Sequence, residues 1–122
     1  MSFVLRKALN SELKTVKLYA DEFHLDSYKL EKQKLYIAEK NGQIAGFGRY
    51  KQYKDIYEIS TIGVLKDFRG YGVGKMIISK LIEVTGTNNI WLTTVIPEYF
   101  QLMGFEKSAF SYFELNIEMC KI

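Results

Sequence analysis

Residues 64–75 read Val-Leu-Lys-Asp-Phe-Arg-Gly-Tyr-Gly-Val-Gly-Lys, and this stretch decides the fold. A β-branched, apolar run precedes it and an amphipathic run follows it, so a strand is expected to pass through a glycine turn into a helix. Glycine permits a tight turn and lets ligand atoms approach backbone N–H groups closely. The start of a helix adds unpaired N–H donors and the positive end of the helix dipole. The stretch therefore predicts a site for an anion, most simply a phosphate or pyrophosphate.

Two common phosphate-binding loops do not match this spacing. A Walker A loop needs Ser or Thr after Gly-Lys, whereas Met76 follows Lys75. A dinucleotide fingerprint needs Gly-x-Gly-x-x-Gly at the start of a parallel βαβ unit, whereas the glycines stand at positions 70, 72 and 74. The ligand is therefore expected to belong to another class of phosphate compound.

The rest of the chain predicts a sheet made mostly of hairpins. Asn41-Gly42 is a strong hairpin signal, because a type I′ turn needs positive φ at both central residues. A helix separates the strand before the glycine stretch from the next strand, so these two are expected to be parallel. Gly46 and Gly48 are unusual inside a strand, and close packing is the favoured reason. The fold class is α+β, a mixed, mostly antiparallel sheet flanked by helices with one parallel pair. Strands are expected at residues 3–9, 35–40, 43–50, 56–64, 90–96 and 113–119 (with 105–107 as a partner), and a polar connection at 51–55.

Composition limits the functional classes. The chain has 122 residues, 48% hydrophobic and 25% charged, which suits a single globular domain over residues 1–122. The net charge of +3 comes without a basic cluster, so no nucleic-acid partner is expected. His24 and Cys120, the only residues of their types, cannot form a metal cluster, so no metal is expected. No apolar run is long enough to span a membrane, which predicts a soluble, cytoplasmic protein.

The run Arg69-Gly70-Tyr71-Gly72-Val73-Gly74 resembles the acyl-CoA pyrophosphate loop of the GNAT N-acetyltransferase superfamily. The strand before it, the helix after it and the later segment Tyr-Phe-Gln-Leu-Met-Gly-Phe at residues 99–105 are also similar, in the same order. The resemblance covers nearly the whole chain and implies a GNAT-like fold whose parallel strands splay apart at the site of acetyl-CoA (coenzyme A). It implies that the pantetheine arm pairs with Ile62, Gly63 and Val64. It also implies that the pyrophosphate is held by Arg69, Gly70, Tyr71, Gly72, Val73, Gly74 and Lys75.

The same resemblance implies two catalytic residues. Glu58 stands where a glutamate base is found in one branch of the superfamily, and its alternative reading is a solvent-facing strand residue. Phe100 occupies the position of the usual tyrosine acid and cannot donate a proton. Tyr99 is the candidate acid, although one residue along a helix is a rotation of about 100°. Thr93, Thr94 or solvent could replace it.

The resemblance implies an acetyltransferase that moves an acetyl group from acetyl-CoA to a primary amine by direct attack in a ternary complex. A small-molecule amine or amino acid is favoured over a protein acceptor because the chain has no added recognition domain. The acceptor is expected to lie over the N-terminal helix, residues 25–34 and residues 51–55. One alternative is a non-catalytic acyl-CoA binding or sensing module. Another is a nucleic-acid or peptide interaction domain that uses Tyr50, Tyr53 and Tyr57. A homodimer through an edge strand near residues 113–119 is also expected to be possible.

Overall fold

The computed structural model describes residues 2–87, 89–94, 96–112 and 117–121. Short 3₁₀ turns at Asn10–Glu12, Lys32–Lys34 and Lys66–Phe68 connect some of the elements. The strands are β1 (Val4–Lys7), β2 (Leu35–Lys40), β3 (Gln43–Tyr53), β4 (Ile56–Val64), β5 (Ile90–Thr94), β6 (Glu106–Tyr112) and β7 (Ile117–Lys121). The helices are α1 (Leu13–Glu22), α2 (Val73–Thr85) and α3 (Pro97–Gln101).

The strands form one seven-stranded sheet in the order β1-β2-β3-β4-β5-β7-β6. The pair β4–β5 is parallel, and every other neighbouring pair is antiparallel. The α+β class and its single parallel pair are therefore confirmed. The hairpin between β2 and β3 is also confirmed, since Asn41 and Gly42 have φ of 50° and 79°.

At β2, the sheet is buried on both faces. Along β2, side chains alternate between two apolar clusters, so that Leu35 and Ile37 pack with α1 while Tyr36 and Ala38 pack with α2. Helix α2 lies close to β3 because Gly46 and Gly48 carry no side chain. A Cβ at Gly48 would stand 2.5 Å from Ile77 Cγ2, so packing explains this glycine.

Strands β3 and β5 end at different residues from those predicted from the sequence. Strand β3 continues to Tyr53, so the predicted polar connection over residues 51–55 is wrong, and the turn is made around Lys54 at φ 58°. Strand β5 ends at Thr94, and Ile96 already stands before α3. Helix α2 ends as expected, because Gly86 adopts the left-handed conformation at φ 63°.

Strand β7 is not the exposed edge strand that was predicted near residues 113–119. The predicted strand over residues 113–119 is described only from Ile117 onward, and residues 113–116 lie outside the described part of the chain. Strand β7 pairs with β5 on one side and β6 on the other, so it is not an edge strand. The expectation of an exposed edge at this strand is therefore wrong, because both edges of β7 are already paired, while the homodimer itself stays a prediction.

A cluster of charged side chains joins β1, β2 and the start of α1. Both guanidinium ends of Arg6 donate to Glu12, each at 2.8 Å, and the Leu9 N–H donates to the same carboxylate at 2.8 Å. Arg6 also lies 3.3 Å from Glu39 on β2. The hydrogen bond from Arg6 is the main cause that lowers the pKa of Glu12 below its ordinary value.

Candidate active site

The glycine loop, residues 69–75, forms the turn between β4 and α2. Gly70 and Gly72 have φ of 88° and 77°, and Gly72 is the N-cap of the helix. A Cβ at either position would meet no atom within 4 Å, so the space above the loop is open. The N–H groups of Val73, Gly74 and Lys75 precede the first intrahelical hydrogen bond, and no acceptor among the described residues pairs with them. The loop therefore has the geometry and the free donors that fit a phosphate ester.

Arg69 anchors the glycine loop to neighbouring elements. Its Nε donates to the carbonyl of Val64 at 2.9 Å, and its guanidinium carbon lies 5.4 Å from the ring centroid of Phe23. The side chain therefore joins the loop to the end of β4 and to α1, while its positive charge remains beside the loop. Lys75 is exposed in the first turn of α2.

A cleft opens between the two parallel strands. Pairing between β4 and β5 is limited to Tyr57 with Ile90 and Glu58 with Trp91, and the strands then separate. The cleft has a volume of about 690 Å³. Beyond Glu58, the edge of β4 that faces β5 has no strand partner in the described part of the chain. Such an edge can pair with an extended ligand. The splay expected from the sequence resemblance is therefore present.

The predicted cofactor strand residues lie along this open edge. Ile62 lines the cleft. Gly63 and Val64 pair with β3 on the opposite edge, opposite Phe47 and Gly46. The end of β4, at Ile62, Gly63 and Val64, therefore leads toward the glycine loop.

Glu58 stands where the two strands begin to separate. Its side chain is 30% exposed, and its Oε1 lies 3.7 Å from Lys51 Nζ. Lys51 also donates to Asp26, and this hydrogen bond is the main cause that lowers the pKa of Asp26 below its ordinary value. The cleft therefore has two carboxylates on either side of one ammonium group at its closed end.

Tyr99 and Phe100 point in different directions. Phe100 is buried and lines the cleft. Tyr99 is 42% exposed and is not among the cleft residues. A Cβ at Gly74 would stand 3.1 Å from the Tyr99 hydroxyl, so the phenol lies against the first turn of α2. The acid assignment of Tyr99 stays a prediction, since its hydroxyl lies beside α2 and Tyr99 is not among the residues that line the cleft.

Sequence reasoning placed the acceptor near residues 25–34 and 51–55 but singled out none of the side chains that form this wall of the cleft. His24, Asp26 and Lys51 line the cleft, and so does Thr61, which has φ of 58°. The one available signal was Arg49, a charge inside an otherwise apolar strand segment. Within the described ranges, no three His, Cys, Asp or Glu side chains converge as metal ligands would. In the same ranges, no helix has the length and apolar character needed to cross a bilayer.

Two solved structures of proteins in complex with coenzyme A have the same fold as this chain. The protein Rv2747 of Mycobacterium tuberculosis, solved in complex with CoA and NLQ, matches with a TM-score of 0.80 and 24% identity over 88% of this chain and 74% of that one. N-acetylglutamate synthase of Neisseria gonorrhoeae, complexed with coenzyme A and N-acetyl-glutamate, matches with a TM-score of 0.77 and 14% identity over 98% of this chain and 34% of that one.

The family follows from the sequence itself. Residues 5–105 match the model of the acetyltransferase (GNAT) family, and the chain belongs to that family. An uncharacterised N-acetyltransferase of Chlorobaculum tepidum is 27% identical over 86 residues, which are 67% of this chain and 56% of that relative. The chain therefore matches little more than half the length of this relative.

Proposed function

We propose that this protein transfers an acetyl group from acetyl-CoA to a primary amine of a small molecule or amino acid, by direct attack in a ternary complex. The observation that carries the proposal is the cleft between β4 and β5, which holds a pair of carboxylates and is lined by the strand that leads into the open glycine loop. Family membership supports acetyl transfer in general. The two structural neighbours named above, one with CoA and NLQ and one with coenzyme A and N-acetyl-glutamate, support an acceptor of amino-acid size.

Acetyl-CoA, when bound, supplies the acetyl group as a reactive thioester. In the proposal, the free N–H groups at the start of α2 bind the pyrophosphate, and Arg69 and Lys75 add positive charge. The open edge of β4 at Ile62, Gly63 and Val64 aligns the pantetheine arm as an added strand. A backbone N–H of this edge donates to the thioester oxygen and stabilises the negative charge that develops there.

Glu58 is the proposed general base. Its carboxylate is half-buried at the closed end of the cleft, where it can accept a proton from an acceptor ammonium through a water molecule. Lys51 neutralises part of the negative charge there, because its Nζ lies between the carboxylates of Glu58 and Asp26. Tyr99 is the proposed proton donor to the departing thiolate, since Phe100 has no exchangeable proton.

Acetyl-CoA turnover with a panel of amines tests the proposal. The panel contains L-glutamate, L-glutamine, L-lysine, spermidine and a tripeptide with a free N-terminus. Free thiol release and the mass of the acetylated amine are measured together, so that hydrolysis is separated from transfer. We expect transfer to at least one small amine. CoA binding without transfer to any amine would instead favour a non-catalytic acyl-CoA binding module.

A further inference from the structure

Arg49 is a buried charge that the proposed chemistry does not use. Its side chain on β3 is 3% exposed, yet every nitrogen of its guanidinium has a partner. Nε donates to Thr61 Oγ1 at 2.9 Å, one terminal nitrogen donates to the carbonyl of Tyr28 at 2.6 Å, and the other donates to the carbonyl of Asp26 at 3.2 Å. The second terminal nitrogen also lies 3.2 Å from the Asp26 carboxylate. The Arg49 network, defined by these four residues, therefore joins three separate segments of the chain.

The first of these segments is a bulge in β4. Phe47 pairs with Gly63 and Arg49 pairs with Ser60, which leaves two β4 residues opposite Gly48 of β3. One of the two is Thr61, whose φ of 58° is in the left-handed region. A β-branched residue is strained there, so other contacts must hold it. The Thr61 hydroxyl supplies them, since it accepts from Arg49 and donates to the carbonyl of Asp26 at 2.6 Å.

The second segment is the wall loop, residues 25–31, which has no regular secondary structure. It separates the cleft, lined by Leu25 and Asp26, from a smaller hollow of about 310 Å³ lined by Tyr28 and Lys29. Its carbonyls at positions 26 and 28 point inward to the Arg49 network. Without these donors, two part-buried carbonyls would lose their protein partners, which would destabilise this position of the loop. The wall loop therefore depends on Arg49 and Thr61 for its position.

We propose that Arg49 is a positioning residue, which together with Thr61 holds the acceptor side of the cleft in fixed register with the bulge of β4. The inference rests on the proposed function, in which the acceptor lies against the wall loop and the thioester lies along β4. Arg49 does not line the cleft, so it acts through Asp26 and Thr61. Loss of the network leaves the glycine loop intact, because none of its hydrogen bonds reaches residues 69–75.

Paired substitutions at Thr61 separate the hydroxyl from the shape of the side chain. Thr61→Val keeps the β-branch and removes the hydroxyl, whereas Thr61→Ser keeps the hydroxyl. Arg49→Lys keeps the charge and loses the planar fork that reaches three acceptors. Thr85→Val is the matched control, since it removes a hydroxyl that bonds Leu81 and Ile82 carbonyls at 3.0 and 3.1 Å, far from the cleft in the last turn of α2.

Three quantities are measured for each variant: the KM for the panel amine with the highest kcat/KM, the Kd for CoA, and amide hydrogen exchange of residues 25–31. For Thr61→Val and Arg49→Lys we expect an amine KM raised about tenfold and exchange of the wall loop at least about tenfold faster, since a tenfold change is about 1.4 kcal/mol. The Kd for CoA should stay within about twofold, and Thr61→Ser and Thr85→Val should behave as wild type in the wall loop.

Three results would overturn the inference, each in a different way. Turnover with an unchanged amine KM and unchanged wall-loop exchange in both Thr61→Val and Arg49→Lys would reject the network alone. A wild-type protein that acetylates no amine of the panel would reject the proposed function, and with it the acceptor role of Arg49. A CoA affinity that falls as much as the amine affinity would also contradict the inference, because it would indicate a general loss of structure.

Discussion

Replacing Gly72 with glutamate places a carboxylate directly at the mouth of the glycine loop. The chain offers a matched control in Gly42, the hairpin glycine between β2 and β3. The two glycines have φ of 77° and 79°, and a Cβ at either one would meet no atom within 4 Å. Both substitutions therefore carry the same backbone strain, about 1–2 kcal/mol. Each should lower the Tm by about 4–8 °C.

Ligand binding should separate the two variants. A carboxylate about 5 Å from a phosphate charge, at an effective dielectric of about 20, is repelled by about 3 kcal/mol. Solvent screening at this exposed loop reduces the effect to about 2 kcal/mol, or about a 30-fold weaker Kd. Titration calorimetry with CoA measures it. Gly72→Glu should bind CoA about 30-fold more weakly, whereas Gly42→Glu should stay within about twofold of wild type. Equal affinities in the two variants would refute the placement of the phosphate at this loop.

Three further outcomes are expected. Glu58→Gln should lower kcat about 100-fold with an unchanged Kd for CoA, whereas Glu83→Gln, on the exposed face of α2, should leave kcat unchanged. Tyr99→Phe should lower kcat about tenfold, less than a full general-acid effect because a thiolate is a fair leaving group, and an unchanged kcat would assign protonation to solvent. Glu12→Gln should lower the free energy of unfolding by about 1–2 kcal/mol at pH 7. The fold lowers the pKa of Glu12 below 4.5, so the difference in unfolding free energy should persist above pH 4.5 and disappear as the pH falls through the lowered pKa. Urea titrations at several pH values measure this difference. A difference that stays constant with pH would contradict the prediction.

The parts of the fold that follow from local chemistry were predictable. The bounds of β2 and β4 agree with the sequence prediction, because β-branched and alternating runs are interrupted by clear turn residues. Asn41-Gly42 fixed the register of the first hairpin, and Gly86 ended α2, since both sites need positive φ. The glycine loop was predictable for the same reason. Each of these signals lies within a few residues of the structure that it determines.

The remaining parts depend on contacts between distant residues. Thr61 adopts a left-handed conformation that its β-branched side chain disfavours, so no local signal predicts it. It is held by Asp26 and Arg49, which are 35 and 12 residues away. The position of β7 between β5 and β6 is likewise set by the completed sheet. Tertiary hydrogen bonding and strand order decide these features.

The sequence predicted the cofactor side of the candidate site more completely than the acceptor side. The glycine loop and Ile62 were named from one motif and its neighbours. Residues 25–34 and 51–55 were predicted to lie near the acceptor. The individual side chains of His24, Asp26 and Lys51 were identified only from the structure, because they come from a loop and a neighbouring strand that meet across the cleft. Acceptor recognition is therefore expected to depend on residues that carry no motif.

The most direct test of the central claim is a map of backbone amide shifts by NMR as CoA is added to the wild-type protein. CoA is proposed to lie on the glycine loop and along the open edge of β4. We therefore expect the largest shifts on residues 70–75 and on Ile62, Gly63 and Val64, with smaller shifts in β5. Shifts confined to the hollow lined by Tyr28 and Tyr53, or no shifts at saturating CoA, would contradict it.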